Sequence, residues 1–319
     1  MNSKFYFLLT AFIIIIISCK SDIKSDAKPI KREKSSTESD DGPDFKMADK
    51  PISSIKVTEA DTIDINSIAE IVSKANHNTA LRLKKGKYEL PENLVYYISK
   101  DKKEIVDKNV VDTRSVGGQV FITGMTNFSI IGNGSEILSK NPKAIPLFIL
   151  NIYQCEFKNL TLGHKLSSKA PSIVPSLYVS RSSTVNFSNC MLGNNSKSGL
   201  KINDSKFITF ADCSISKSHS QIMEIYQGKS LQFVNSIFNN NECAFGCFSF
   251  LGTENSIEFK NVIVNNNRYI GEKSNNFNQL ITGPFQNIKF NKSKFQNNTN
   301  FSQIGIDDIN LADCEVQKF

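Results

Sequence analysis

A short pattern of hydrophobic positions recurs through the second half of the chain. It reads apolar-x-apolar-x-x-small-x-apolar, as in "VNFSNCML" at 185–192, "ITFADCSI" at 208–215 and "LQFVNSIF" at 231–238. Its central apolar position returns after 27, 30, 23, 23, 26, 31 and 21 residues. Repeats of this length indicate a solenoid of stacked coils. The central positions are Ile130, Phe157, Phe187, Phe210, Phe233, Phe259, Phe290 and Leu311.

The offsets inside the repeat indicate the kind of coil. The first two apolar positions alternate, which is typical of a strand with one buried face, and the next two residues shift the phase as a bend would. About ten residues earlier comes a second alternating pair: Leu177/Val179, Leu200/Ile202 and Met223/Ile225. Neither the Leu ladder of leucine-rich repeats nor the 3.6-residue period of helical repeats occurs. The pattern therefore predicts an all-β, three-sided parallel β-helix of about eight coils.

The stretch "VNFSNCMLGNNSKSGLKINDSKFITFADCSIS" at 185–216 is similar to right-handed parallel β-helix proteins of the pectate-lyase-like class. The likeness covers about residues 80–319. This scaffold carries lyases, hydrolases, tailspikes and adhesins, so the resemblance implies the fold and leaves the activity open.

Two segments predict how the solenoid begins. "LRLKKGKYEL" at 81–90 fits a first coil with a turn at Gly86, and Ser67 with Glu70 before it fits a capping box. We expect a short helix within about residues 63–78 that covers the apolar end of the first coil, because a bare β-helix end is a template for aggregation. The residues with helical spacing are Ile65, Ile68, Ile71, Val72 and Ala75.

Residues 1–18 are predicted to be a signal peptide. Lys4 gives a positive start, and the apolar run that follows, residues 5–17, is too short for a membrane-spanning helix. The run ends in "IISC", which resembles the lipobox of bacterial lipoproteins. The resemblance implies cleavage before Cys19 and lipid, palmitate among its acyl chains, on the new N-terminus, which anchors the protein to a membrane. Lys20 follows Cys19, in place of the Asp that holds many bacterial lipoproteins at the inner membrane. We therefore expect the protein at the outer membrane of a bacterial envelope, and the side of that membrane which it faces stays open.

Residues 19–50 are predicted to be a disordered tether between this anchor and the fold. The stretch from Lys20 to Lys50 holds eight basic and eight acidic residues and few apolar ones. Such a composition cannot bury enough surface to offset the entropy of ordering. The folded domain is therefore expected over 51–319.

The net charge of +7 comes almost entirely from scattered Lys residues. Nucleic-acid sites use Arg forks or clustered basic faces, so no nucleic-acid partner is expected. No Cys/His spacing fits a zinc site, and neither a metal nor a cofactor is expected. The sequence leaves the oligomeric state open.

The cysteines and Asn runs are interpreted as structural. Cys155, Cys190, Cys213 and Cys314 fall on inward positions. Cys190 and Cys213 would lie one coil apart, near enough for a disulfide in distance though not in direction, whereas Cys243 and Cys247 are the better candidates for a disulfide in an oxidising envelope. Asn runs at 194–195, 239–241, 265–267 and 297–298 predict bends and ladders of amide hydrogen bonds.

Chemistry is expected on outward positions between the inward pairs. The predicted exposed column is Tyr178, Lys201, Glu224 and Phe250. A second column is Ser180, Asn203 and Tyr226, and Arg181 and Asp204 lie just past the strands. Such a mixed row suits an acidic polysaccharide, with Tyr178, Asn203 and Tyr226 as candidate ligand-binding residues.

The candidate catalytic residues are Lys201, Glu224 and Arg181. A polysaccharide lyase needs a base for the proton alpha to a uronic carboxylate and a cation for the carboxylate, roles that Lys201 and Arg181 fit. The competing interpretation is a surface ion pair of Lys201 with Glu224. One acid in the column departs from the several carboxylates of calcium pectate lyases. Asp204 with Glu224 is the obvious acid pair for hydrolysis.

Three segments, 97–115, 163–175 and 266–277, are longer than a 23-residue coil needs and are expected to form loops. His164 opens the second loop, and His219 lies in a turn two coils on. Both are candidate ligand-binding residues with a general acid/base role as the sharper hypothesis. The alternative is a solvated or capping histidine.

Three functions remain open on these residues. The first is a lipoprotein that engages polysaccharide on the exposed face, with catalysis undecided. The second is a polysaccharide lyase or glycoside hydrolase, and the third is a non-catalytic rod for surface display or protein binding.

Overall fold

The structure is a computed structural model that describes residues 62–107, 116–165, 172–271, 279–283, 287–302, 304 and 309–317. The predicted signal peptide, Cys19 and the tether lie outside these residues. No helix within them is long and apolar enough to cross a membrane.

Short strands make up almost all of the regular structure. The first elements are β1 (Thr62–Ile65), α1 (Ile68–Lys74), β2 (Ala80–Leu83), β3 (Lys87–Leu90), β4 (Leu94–Ile98), β5 (Lys103–Asp107), β6 (Gln119–Thr123), β7 (Ser129–Ser139), β8 (Leu147–Leu150), β9 (Tyr153–His164), β10 (Leu177–Ser180), β11 (Ser183–Ser188), β12 (Met191–Gly193) and β13 (Ser198–Ala211). They continue as β14 (Ser214–Ser216), β15 (Gln221–Lys229), β16 (Leu231–Val234), β17 (Ile237–Asn239), β18 (Glu242–Cys243), β19 (Phe248–Leu251), β20 (Ile257–Lys260), β21 (Ile263–Asn265), β22 (Arg268–Tyr269), β23 (Ile281–Thr282), β24 (Ile288–Asn291), β25 (Lys294–Gln296), β26 (Asn310–Ala312) and β27 (Glu315–Val316).

These strands stack into three parallel faces, one strand of each face per coil. Face A contains β4, β6, β8, β10, the start of β13, β15, β19 and β23. Face B contains β1, β2, the starts of β7 and β9, β11, the end of β13, β16, β20, β24 and β26. Face C contains β3, the ends of β7 and β9, β12, β14, β17, β21, β25 and β27. The predicted right-handed parallel β-helix is confirmed, and right-handed crossovers are the rule for parallel strands.

The interior of face B is a column of stacked phenylalanine rings. Consecutive ring centres lie 5.1, 4.6, 4.9, 4.8 and 4.3 Å apart, with planes within 13° of parallel. The rings belong to Phe157, Phe187, Phe210, Phe233, Phe259 and Phe290, each no more than 1% exposed. We call this column the inner ladder. Its register is the one the repeat predicts, with Ile130 before it and Leu311 after it.

The bend from face B to face C uses the left-handed backbone region in coil after coil. In seven successive coils the second residue after the central apolar position has a φ between 50° and 54°, at Asn159, Asn189, Asp212, Asn235, Asn261, Lys292 and Asp313. Asn and Asp tolerate this region better than other side chains with a Cβ. The phase shift in the sequence is therefore this bend.

Buried asparagines form the predicted amide ladder where face C ends. The Asn241 Nδ2 donates to Asn267 Oδ1 at 2.9 Å, and the Asn267 Nδ2 donates to Asn298 Oδ1 at 2.9 Å. All three side chains are at most 2% exposed. The preceding residues, Asn240, Asn266 and Asn297, have positive φ. The runs at 239–241, 265–267 and 297–298 thus each supply a turn residue and a ladder residue, whereas both residues of the run at 194–195 have positive φ.

Helix α1 covers the first coil, as expected, but is shorter than the predicted segment. Ile68, Ile71 and Val72 are buried against the first coils, whereas Ile65 belongs to β1. The Ser67 side chain caps the helix by accepting from the Glu70 amide at 3.2 Å. The Glu70 carboxylate reaches back to the Asn66 amide rather than to that of Ser67.

The predicted loop at 97–115 is partly regular. Strand β5 pairs with β4 in an antiparallel hairpin, with Tyr97 opposite Glu104. Residues 108–115, and the central parts of the other two predicted loops at 166–171 and 272–278, lie outside the described residues. Each of these three segments precedes a face A strand, namely β6, β10 and β23.

Candidate functional site

The outward side of face A carries one side chain per coil in a continuous register. The column is Tyr97, Phe121, Phe148, Tyr178, Lys201, Glu224, Ser249 and Thr282. We call it the outer ladder. It lies between inward-pointing residues such as Leu200 and Ile202, which are fully buried. The alternation that fills the core thus also aligns these outward groups.

The first half of the outer ladder is aromatic. Ring centres lie 5.3 Å apart from Tyr97 to Phe121, 4.9 Å from Phe121 to Phe148 and 4.8 Å from Phe148 to Tyr178. The last two rings are nearly parallel, at 12°. They therefore turn their faces to each other and their edges to solvent. This half of the ladder stabilises the coil stack and offers few free ring faces.

The middle of the outer ladder is ionic. The Lys201 Nζ donates to Glu224 Oε1 at 2.5 Å and lies 5.8 Å from the centre of the Tyr178 ring. The two charged side chains are 34% and 21% exposed. The predicted ion pair on adjacent coils is confirmed. The Lys201 amino group is thus already engaged by Glu224, whereas a general base must be within reach of a substrate proton.

The last part of the outer ladder is a chain of neutral polar groups. The Gln221 Nε2 donates to Ser249 Oγ at 2.6 Å, and Ser249 Oγ lies 3.1 Å from Thr282 Oγ1. Ser249 and Gln221 are both less than 10% exposed. This part of the face is therefore a fixed chain of hydrogen-bonded groups, of which Thr282 is the partly exposed member.

The structure corrects one member of the predicted column. Phe250 was expected to follow Glu224 on the outside, but Ser249 pairs with Glu224 and Phe250 pairs with Ile225. Phe250 is fully buried in the core. The step from Glu224 to its neighbour is 25 residues rather than the 26 that separate Phe233 and Phe259, and a shift of one residue moves a side chain to the other face of a strand.

A second outward column runs beside the outer ladder, as predicted. Ser180, Asn203, Tyr226 and Leu251 occupy successive coils. Tyr226 and Leu251 are both 42% exposed, whereas Ser180 is buried. The candidate ligand-binding residues Tyr178, Asn203 and Tyr226 therefore share one face with Lys201 and Glu224.

Arg181 and Asp204 occupy the corner that follows this column. Both have positive φ, 47° and 45°, at equivalent positions of neighbouring coils. The Arg181 amide donates to the Asn203 carbonyl at 3.0 Å. Arg181 is thus at the edge of the face, next to the second column.

The structure separates the two candidate histidines from this face. His164 ends β9 and is fully buried, with Nδ1 2.8 Å from Ser196 Oγ and Nε2 2.8 Å from the Ala144 carbonyl. Burial lowers the pKa of His164 to about 4. Both ring nitrogens thus have partners inside the corner, directly before the predicted loop. A ligand-binding role for His164 stays a prediction.

His219 lies in a turn, as expected, at the corner between faces C and A. Its Nδ1 is 3.5 Å from Glu242 Oε2, and its Nε2 is 3.4 Å from Asn195 Oδ1. Arg268 Nη2 donates to the other oxygen of Glu242 at 2.5 Å. A ligand-binding role for His219 stays a prediction.

The cysteines fall into two groups. Cys243 and Cys247 form a disulfide. Cys155, Cys190 and Cys213 are buried free thiols, and burial raises the pKa of Cys155 to about 12. The Cys190 thiol donates to the carbonyls of Phe157 and Ser188, so its hydrogen bonds go to the backbone. Within the part of the chain that the structure describes, no group of three or more His, Cys, Asp or Glu could hold a metal ion.

The sequence contained a signal for the aromatic half of the outer ladder that the sequence analysis missed. "VFI" at 120–122 and "LFI" at 147–149 each place an aromatic residue between two inward aliphatic ones, and "YYI" at 96–98 places Tyr97 between the inward Tyr96 and Ile98. Following the alternating pairs toward the N-terminus from Leu177 would have found the three rings.

A scan against protein-family models and a search of the curated proteins each find no match for this chain. Solved structures are similar to it. An alginate lyase from Paenibacillus sp. aligns with a TM-score of 0.40 and 12% identity over 81% of this chain and 99% of its own. An endo-xylogalacturonan hydrolase from Aspergillus tubingensis aligns with a TM-score of 0.34 and 12% identity over 82% of this chain and 84% of its own. A surface protein and adhesin of Streptococcus pneumoniae aligns with a TM-score of 0.30 and 13% identity over 80% of this chain and 86% of its own.

Proposed function

We propose that the protein binds a polysaccharide on face A, around Lys201 and Glu224, and is held at the bacterial outer membrane by lipid on Cys19. The observation that carries the binding proposal is the composition of the outward rows. Within three coils they offer an ammonium, a carboxylate, an amide and two phenol rings, from Lys201, Glu224, Asn203, Tyr178 and Tyr226.

These groups match the chemistry of an acidic glycan. Uronic carboxylates accept from an ammonium, and sugar hydroxyls both donate and accept, as the Asn203 amide and the tyrosine hydroxyls do. Lys201 and Glu224 are partly exposed, so a ligand reaches them without unfolding the coil. A carboxylate of the ligand would compete with Glu224 for Lys201. This contact would favour acidic over neutral polysaccharides without a metal ion.

The same contacts favour binding over elimination. Lys201 donates to Glu224 and lies over the Tyr178 ring, whereas a lyase base needs a free amine beside the substrate. Arg181 at the edge of the face would bind a carboxylate in either case. A lyase or hydrolase that uses Lys201, Glu224 and Arg181 is the alternative, and one experiment distinguishes the two.

The anchoring proposal rests on the sequence "IISC" and on the charged tether that follows it. Metabolic labelling with an alkyne-bearing fatty acid would test it. Label on the wild type and none on Cys19→Ala supports lipidation, and equal label on both contradicts it.

The binding test uses immobilised alginate, polygalacturonate and hyaluronate, with dextran as the neutral control. We expect wild type to bind at least one acidic polymer and Lys201→Ala to lose that binding. Lys289→Ala is the matched control, because Lys289 is an outward lysine of face B, paired in register with Glu258. Absorbance of unsaturated ends, recorded on the same samples, reports elimination. A rise that requires Lys201 would establish a lyase, and no binding to any polymer would reject the proposal.

A further inference from the structure

A five-residue turn just before face A is closed by a disulfide. Cys243 and Cys247 are both fully buried, with Cα atoms 5.1 Å apart. Between them lies Phe245, which is 53% exposed. Single exposed aromatic residues are common on protein surfaces. Here the turn that presents the aromatic residue is closed by a disulfide. This covalent bond fixes the backbone on both sides of Phe245.

The turn packs directly on the last part of the outer ladder. Gly246 has a φ of +85°, and a Cβ there would come within 2.6 Å of Thr282 Cγ2 and 3.1 Å of the Gln279 carbonyl oxygen. Thr282 Oγ1 donates to the Phe245 carbonyl at 3.5 Å. Glycine is therefore required for the turn to approach Thr282 this closely.

The neighbouring coils hold the turn on both sides. The Ala244 amide donates to the Ser220 carbonyl of the preceding coil at 2.9 Å, and the Cys247 amide donates to the Leu280 carbonyl of the following coil at 2.9 Å. Together with the disulfide, these bonds leave the Phe245 position little freedom. A contact residue that is ordered in advance costs little conformational entropy when a ligand binds.

The surroundings of Phe245 combine two kinds of surface. Beside its backbone lies the partly exposed hydroxyl group of Thr282, which is fixed by the buried Ser249 hydroxyl 3.1 Å away. A pyranose ring presents both partners, since its hydroxyl groups point outward and its C–H groups form an apolar face. Aromatic rings bind such apolar faces by contact area and by their quadrupole.

From these contacts we infer that Phe245 is a sugar-stacking residue of the glycan site, held in place by the Cys243–Cys247 disulfide. The inference rests on the proposed function and extends its site from Lys201 and Glu224 to the Thr282 end of face A. The bound glycan covers at least four coils, with its carboxylates near Lys201 and one ring against Phe245.

The test uses the full-length protein and the same immobilised alginate, polygalacturonate and hyaluronate. We expect Phe245→Ala to weaken binding of the recognised polymer roughly tenfold, and Phe245→Trp to preserve it. Phe245→Leu keeps an apolar side chain without a flat ring and should weaken binding as the Ala variant does. Met191→Ala is the matched control, because Met191 is 47% exposed on face C.

The disulfide is tested with Cys243→Ser/Cys247→Ser and with dithiothreitol. Both treatments should weaken binding in the same direction as Phe245→Ala and by a smaller factor, because the ring remains but is no longer held. Unchanged affinity in Phe245→Ala and Phe245→Leu, with binding still lost in Lys201→Ala, would overturn this inference and leave the proposed function standing. No binding of any polymer by wild type would overturn both.

Discussion

Lys201 Nζ lies 2.5 Å from Glu224 Oε1 on the next coil, and both side chains remain partly in contact with solvent. Exposed pairs of this kind contribute under about 1 kcal/mol to stability. The pair therefore matters more for what it presents to a ligand than for the fold.

The first prediction separates these two roles. In a double-mutant cycle of Lys201→Met and Glu224→Gln, we expect a coupling energy under about 1 kcal/mol in urea unfolding. Binding of an acidic polysaccharide should nevertheless fall in Lys201→Met. A coupling energy above about 3 kcal/mol would instead assign the pair to the stability of the fold.

The second prediction concerns the inner ladder. Phe210 packs between Phe187 and Phe233, with ring centres 4.6 and 4.9 Å away. We expect Phe210→Ala to lower the free energy of unfolding by about 3–5 kcal/mol, because it opens a cavity that the stacked coils cannot close. Tyr226→Ala on the exposed second column is the control and should change it by less than about 1 kcal/mol. Equal effects in thermal unfolding would contradict the assigned burial.

The third prediction concerns the buried asparagines. Asn267→Ala leaves the buried backbone amide of Asn241 without its acceptor, Asn267 Oδ1, and the carbonyl of Phe238 without the Asn267 Nδ2 donor. Each unsatisfied buried group costs about 1–3 kcal/mol, so the unfolding midpoint should fall clearly. Gln232→Ala is the control, because it removes an amide contact, to Glu258, on the exposed surface of face B. A similar loss in the two variants would mean that burial of the ladder is unimportant.

The fourth prediction is a pH dependence that originates at His164. Its folded-state pKa of about 4 lies below the unfolded value near 6.5, so the unfolded chain takes up the proton first. The stability from the neutral ring is complete above about pH 6.5 and is lost as the pH falls toward 4, by about 3 kcal/mol at most. His164→Gln should flatten the stability profile in this window.

Glu89 provides the internal comparison for that profile. Hydrogen bonds from Lys140 and then Lys165 lower the pKa of Glu89 to about 2. Its contribution is therefore present above about pH 4.5 and is lost only as the pH falls further toward 2. A wild-type profile that is flat between pH 6.5 and 4.5 would contradict the assignment to His164.

Most of the fold could be predicted from the sequence because short-range patterns of side chains determine it. The alternation on face B and the Asn or Asp after it are both short-range signals, and they place Phe157 to Phe290 in correct register. Turn lengths are less regular. The coil from Phe233 to Phe259 has three residues more than its predecessor, and their distribution between the turns decided the orientation of Phe250.

The candidate site could be predicted only in part. Lys201 and Glu224 were assigned to one column because the intervening coil has the standard 23 residues. The position of Phe245 against Thr282 could not be predicted, since it depends on a turn whose approach is set by Gly246 and by the next coil. The burial of His164 could not be predicted either, because sequence alone does not show that Ser196 and Ala144 contact its ring.

The inner ladder has a consequence for how such a protein can evolve. Each phenylalanine ring of the inner ladder stacks on those of the adjacent coils, and the coils from Phe187 to Phe233 have identical length. In arrays of this kind stability is close to a sum over units and nearest-neighbour interfaces. Tandem duplication of one 23-residue coil would therefore add one strand to face A and leave the first and last coils unchanged.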